Sequence, residues 1–248
     1  MKGLVILPTF NEAGTIEEVI RRTLASSPDV DVLVVDDASP DGTGRIADGI
    51  AAGEPRVRVM HRPSKGGLGP AYLDGFRSGL AEGYEALLEM DSDLSHDPAD
   101  VARLLAEAKN ADLVIGSRYV PGGATVNWSG GRRILSRGGT LYAKGMLGLP
   151  LSDATSGFRC FRRAVLETIP LAEIASEGYA FQIEMAWRAW TLGFRTAEIP
   201  IVFTERREGA SKMSRRIVAE ALWRVFRWAF LRRRPPARPH PASIAASR

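Results

Sequence analysis

Residues 85–98 read EALLEMDSDLSHDP, an apolar run that stops at two aspartates, Asp91 and Asp93, separated by one serine. Glu85–Met90 has the length and apolarity of a buried strand, and Asp97 followed by Pro98 reads as the cap and first residue of a helix. Two carboxylates this close repel each other. A divalent cation removes that repulsion, and hard oxygen ligands select Mg²⁺ or Mn²⁺. Such ions take few protein ligands and complete their shell with water and substrate phosphates, so the pair predicts a phosphate-bearing ligand.

The pattern repeats outward from this point. Gly3–Leu7, Val30–Val35, Val57–Met60 and Leu113–Gly116 read as further short strands, with helical periodicity between them. The alternation predicts an α/β fold: a mostly parallel, Rossmann-like sheet with helices on both faces. In such sheets ligands bind beyond the carboxyl ends of the strands. Four of those ends carry polar groups: Pro8-Thr9 with Asn11-Glu12, Asp36-Asp37, Asp91-Ser92-Asp93 and Ser117-Arg118. A carboxylate at Asp36 or Asp37 suits ribose hydroxyls or base N–H groups. There is no GxxxxGK[ST] sequence, and GGLG at 66–69 lacks the dinucleotide-binding glycine spacing.

The second half is less regular. Residues 121–133 are Gly-rich and read as a long mobile loop. Ile134–Leu147, Tyr179–Leu192 and Ser211–Leu231 read as helices, Ala197–Phe203 as a strand, and SDATSGFRCFRR as a turn into a short strand. The domain expectation is 1–210 for the α/β domain, 211–232 for an amphipathic interface helix and 233–248 for a disordered basic tail.

Charge follows the same division. The 248 residues carry net +4, but residues 206–248 hold 12 of the 33 Lys and Arg and only 2 of the 29 Asp and Glu. An acidic body with a basic tail points to an anionic membrane surface. No aromatic-and-basic RNA motif or zinc finger accompanies it, which argues against nucleic acid. No stretch reaches the roughly 20 apolar residues of a membrane span, and the N-terminus lacks a signal-peptide pattern. Membrane contact is therefore expected to be peripheral. One cysteine, Cys160, excludes an internal disulfide and fits a reducing compartment. His61, His96 and His240 form no zinc pattern.

Seven stretches in order, LPTFNE (7–12), VVDDASPDGT (34–43), KGGLGPAYLDGF (65–76), MDSDLSHDP (90–98), GSRYVPGG (116–123), SGFRCFRR (156–163) and FQIEM (181–185), resemble the inverting GT-A glycosyltransferases of family 2. More narrowly they resemble the dolichyl-phosphate (polyprenol-phosphate) mannosyltransferases. The resemblance implies transfer of mannose from GDP-mannose to a polyprenyl phosphate, with glucose transfer from UDP-glucose as the neighbouring alternative. It implies that Pro8, Phe10, Glu12 and Asp37 hold the nucleoside, and that Asp91 and Ser92 contact the nucleotide sugar. Asp91 and Asp93 would ligate the metal. Ser95 would be a further ligand, directly or through water, where many relatives have Gln. Asp93 and Arg118 would carry catalysis, and Arg118, Arg132, Arg133 and Lys212 would bind donor and acceptor phosphates. It also implies work at the cytoplasmic face of the plasma membrane beside a membrane-embedded partner of the apolipoprotein N-acyltransferase type.

Overall fold

The computed structural model describes residues 1–205 and 215–230. Seven strands form the main sheet: β1 (Gly3–Thr9), β2 (Val30–Asp36), β3 (Val57–His61), β4 (Ala86–Glu89), β5 (Leu113–Ser117), β7 (Arg159–Arg162) and β8 (Thr196–Pro200). Their spatial order is β3-β2-β1-β4-β7-β5-β8. A second, two-stranded sheet pairs β6 (Ala124–Val126) with β9 (Val202–Thr204) in parallel. The helices are α1 (Ile16–Ser26), α2 (Thr43–Ala51), α3 (Leu68–Ala81), α4 (Asp100–Glu107), α5 (Gly130–Leu147), α6 (Arg163–Thr168), α7 (Gly178–Thr191) and α8 (Arg215–Phe230).

The period-2 geometry of a strand explains how the core is divided. Along β1, Leu4 and Ile6 point to one face, where Tyr72 and Phe76 of α3 and Phe181 of α7 pack against them. Val5 and Leu7 point to the other face, against Ile16, Val19 and Ile20 of α1 and Val101 and Leu104 of α4. With both faces covered, β2 is buried at all seven positions, as its nearly continuous apolar sequence requires. Helix α3 lies unusually close to the sheet. A Cβ on Gly75 would stand 2.6 Å from Ile6 Cγ2, and one on Gly79 2.5 Å from Leu87 Cδ2. Glycine at these two positions permits the approach.

The sheet is parallel except at β7, which enters antiparallel between β4 and β5. β4 and β5 follow each other in sequence but not in space.

Three expectations from sequence are corrected here. The stretch 121–133 is not one long loop. Ala124–Val126 finds backbone partners in β9, and Ser129 caps α5 by accepting the Arg132 N–H. The strand expected over Ala197–Phe203 divides at Pro200, which has no N–H to continue the ladder with β5. The chain then turns at buried Ile201 and joins the second sheet. The regular helix α4 starts at Asp100 rather than at Pro98; Asp97 caps the tight turn that leads into it, its carboxylate accepting from Ala99 N (3.0 Å) and its carbonyl from Asp100 N (3.0 Å).

The expected tail, 233–248, and the start of the last helix lie outside the described residues. Within α8, Ala221 and Val225 are buried; Val225 packs with Ala143 and Leu147 of α5 and Ile183 of α7, and Trp228 stacks on Trp187 at 5.7 Å. Leu222, Trp223, Phe226 and Phe230 face outward.

Candidate active site

The carboxyl ends of β1, β2 and β4 open on one edge of the sheet, where a cavity of about 440 Å³ lies. Pro8 near the end of β1, Phe10 and Glu12 after it, Asp37 after β2, and Asp91, Ser92 and Asp93 after β4 form one side of it. The opposite side comes from the second half of the chain: Arg132 of α5, Thr155 and Gly157 before β7, and Tyr179 and Gln182 of α7. Every nucleotide-side residue expected from sequence therefore meets in one place.

Local bonding explains why these side chains hold still. Ser92 Oγ donates to the Pro8 carbonyl (2.9 Å), and Thr15 Oγ1 donates to the Ser92 carbonyl (2.7 Å). The Asp91–Asp93 turn is thereby fixed to the end of β1 and the start of α1. Asp93 is buried, and its Oδ1 accepts the Ser95 N–H at 3.0 Å. Asp91 is more open, and its backbone N–H donates to His96 Nδ1 at 3.4 Å. Burial, aided by the Arg118 charge and opposed by Asp93, pulls the His96 pKa down to about 4. A neutral imidazole between the rings of Phe158 (4.9 Å) and Phe203 (5.1 Å) is thus available as the acceptor.

Of the two adjacent aspartates, Asp36 is used internally: its carboxylate accepts from Thr9 Oγ1 (2.9 Å) and Ser39 N (3.1 Å). Asp37 reaches the cavity, with Gly66 N (3.0 Å), Gly67 N (2.9 Å) and the Arg62 guanidinium on its oxygens. Lys65 stands 3.8 Å over the Phe10 ring at the same end.

The residues expected on phosphates are placed differently from one another. Arg132 lines the cavity, pairs with Glu205, lies 5.1 Å over the Trp128 ring and has a buried Nε with no partner. Arg118 does not reach the wall. Its Nε and one terminal nitrogen clasp Asp153 at 2.6 and 2.7 Å, and that nitrogen also donates to Thr155 Oγ1 at 2.9 Å. Both ions of this pair are buried. Arg118 therefore braces the Thr155 segment from behind. Arg133 is exposed on α5 and off the cavity wall, and Lys212 lies outside the described residues. Ser95 is buried behind the Asp93 turn and is not among the wall residues. Arg159 spends its donors on the carbonyls of Ser156, Gln182 and Ala154 (2.7, 2.6 and 2.8 Å).

Among the described residues no group of three or more His, Cys, Asp and Glu forms a ready-made metal cage. The donors present still suit a Mg²⁺- or Mn²⁺-type ion, which keeps much of its shell for water and phosphate oxygens. Asp91 and Asp93 share the cavity. Gly157 leaves room beside Asp91, since a Cβ there would stand 3.8 Å from its Oδ1.

The family model for glycosyl transferase family 2 matches residues 4–169, which contain both strand-end aspartate groups. The chain belongs to glycosyl transferase family 2. It is a glycosyltransferase, and its sheet has the GT-A arrangement. It is 52% identical over 228 residues to the undecaprenyl-phosphate mannosyltransferase of Micrococcus luteus, covering 92% of this chain and 94% of that one. It is 50% identical over 229 residues to the polyprenol monophosphomannose synthase of Mycolicibacterium smegmatis, covering 92% and 86%. Among solved structures, the mannosyltransferase PcManGT of Pyrobaculum calidifontis in complex with GDP-Man and Mn²⁺ matches with TM-score 0.62 at 20% identity, covering 95% of this chain and 66% of that one. Glucosyl-3-phosphoglycerate synthase of Mycobacterium tuberculosis with Mn²⁺, UDP and glucosyl-3-phosphoglycerate matches with TM-score 0.63 at 23% identity, covering 92% and 77%. These two likenesses concern the fold.

Lys65, Thr155, Tyr179 and the buttress His96 were not singled out from sequence. Lys65 lies inside KGGLGPAYLDGF, so the motif carried the signal. The role of His96 depends on Phe203, more than a hundred residues away.

Proposed function

We propose that this protein transfers mannose from GDP-mannose to a polyprenyl phosphate, with inversion at the anomeric carbon. One observation carries the reading for the acceptor. Beside the polar cavity lies a second, apolar one of about 300 Å³ between α5, α7 and α8, and the two share Thr155 and Tyr179. A ligand spanning both needs a charged head and a hydrocarbon chain. The two relatives at 50% and 52% identity, whose names specify a lipid phosphate and mannose, support the same choice.

In this reading the nucleoside lies against Pro8, Phe10, Glu12 and Asp37, with its diphosphate directed toward Asp91, Ser92 and Asp93. A divalent cation held by Asp91 and Asp93 would supply charge neutralisation for the departing diphosphate. The nucleophile is a phosphate oxygen. A phosphomonoester has its second pKa near about 6, so it is already largely dianionic at neutral pH and no strong general base is required. The protein's task is to hold that oxygen in line with the sugar carbon and to offset repulsion between two anionic substrates. Arg132, whose side chain lines the cavity, fits the second task directly. Arg118 serves it indirectly, by fixing Thr155. Arg133 and Lys212 are assigned to phosphate on the family resemblance alone.

The lipid acceptor places the enzyme at a membrane surface. Among the described residues no helix is long and apolar enough to cross a membrane. Exposed Ile134 and Leu141 on α5 and Trp223 and Phe230 on α8 give an apolar face, with exposed Arg133 and Arg137 beside it for anionic headgroups. Attachment is peripheral in this proposal, and the membrane-embedded partner expected from the resemblance would meet the protein here.

The test is purified protein with labelled GDP-mannose and a polyprenyl phosphate, with Mn²⁺ or Mg²⁺ and with EDTA. Label is expected in the lipid fraction with metal and not with EDTA. Label entering lipid from UDP-glucose but not GDP-mannose would overturn the choice of donor.

A further inference from the structure

We infer that Gly138 and Gly139 determine acceptor specificity: their missing side chains keep the apolar groove open for an isoprenoid chain. The inference rests on the polyprenyl-phosphate reading and adds to it the residues that admit the chain. Glycine is unfavourable inside a helix, because the unfolded chain gains freedom and no side chain packs. Two adjacent glycines in the middle of α5 therefore need a reason.

The usual reasons are absent. In α3 glycine is explained by contact: at Gly75 and Gly79 a Cβ would collide with Ile6 and Leu87. At Gly138 nothing lies within 4 Å of where a Cβ would be. At Gly139 the nearest atom is Thr155 Cγ2 at 3.8 Å, an ordinary contact. Neither glycine has a positive φ. Both line the groove, which is otherwise walled by apolar side chains such as Leu135, Ile183 and Val225. Gly138 is exposed and Gly139 half-buried, and a side chain at either would stand at the wall of the groove. The groove adjoins the polar cavity: Thr155, whose Cγ2 lies 3.8 Å from where a Gly139 Cβ would be, and Tyr179 line both. A prenyl chain whose phosphate sits in the polar cavity would run past these two positions.

The experiment compares wild type, Gly138→Leu and Gly138→Ala with a long-chain polyprenyl phosphate and with geranyl phosphate, alongside GDP affinity by calorimetry and thermal denaturation. Misfit of a methylene or more in a hydrophobic pocket lowers kcat/KM by roughly 10- to 200-fold. Gly138→Leu is therefore expected to lose at least about tenfold with the long chain, and much less with geranyl phosphate, at unchanged GDP affinity. Gly138→Ala is expected to raise Tm by about 2–4 °C while lowering long-chain kcat/KM, a combination that a purely structural glycine would not produce. If Gly138→Leu fails to fold, the Gly138→Ala comparison decides. Unchanged long-chain kinetics, or equal losses with both acceptors, would overturn the inference. Wild type that uses neither lipid, while still binding GDP, would instead remove the acceptor reading on which it stands.

Discussion

The two sides of the cavity are built by different means. On the donor side, residues leave the ends of parallel strands and are tied from one strand end to the next along the sheet edge: Ser92 to Pro8, Thr15 to Ser92, Asp37 to Gly66 and Gly67. On the acceptor side, the wall comes from helices and from the segment before β7. It is fixed by two buried guanidinium groups: Arg118 on Asp153 and Thr155, and Arg159 on the Ala154 and Ser156 carbonyls. The first side lines the cavity with carboxylates. The second lines it with helix residues and adjoins the apolar groove. In the proposed reading the first would take the nucleotide and its metal, and the second the lipid.

Substitutions on the two sides should separate accordingly. The largest effect is expected for Asp93→Ala, which should lower turnover by a factor on the order of 10³, with Tm close to wild type. Single-turnover assays and thermal denaturation check this, and near-normal turnover would remove Asp93 from the chemistry. Arg118→Ala should act mainly on the fold. Leaving Asp153 as a buried, uncompensated charge costs about 3–5 kcal/mol, readable by urea denaturation, and replacing both partners by apolar residues should recover part of the loss. A stable Arg118→Ala protein with reduced phosphate affinity would move Arg118 from brace to ligand. The smallest effect is expected for Trp223→Ser with Phe230→Ser, which should weaken binding to anionic liposomes by about tenfold and leave GDP affinity unchanged. Undiminished liposome binding would separate α8 from the membrane.

The donor side was readable from sequence because its signals are local. Each short apolar strand is followed directly by its acids and then by a helix in one contiguous stretch, and the strands β1, β2, β4 and β5 stand close to where periodicity put them. The acceptor side was less readable, because its elements carry no such repeated local signature. Nothing near Arg118 indicates that Asp153 will take its guanidinium. Nothing in Ala197–Phe203 except Pro200 marks the change of sheet, and Ala124–Val126 becomes a strand only because Val202–Thr204 comes alongside. The amphipathic pattern of α8 was legible. Which part of it packs inward was decided by α5 and α7.

The late arrival of β7 has a consequence for synthesis. β4, which carries the paired aspartates, has its second edge closed only by Arg159–Arg162, so a nascent chain that has reached α5 still exposes two open strand margins flanking an empty slot. Such margins invite pairing with other chains. Fragments ending before residue 159 should therefore clump rather than settle, and the whole polypeptide should depend on filling that slot promptly after leaving the ribosome.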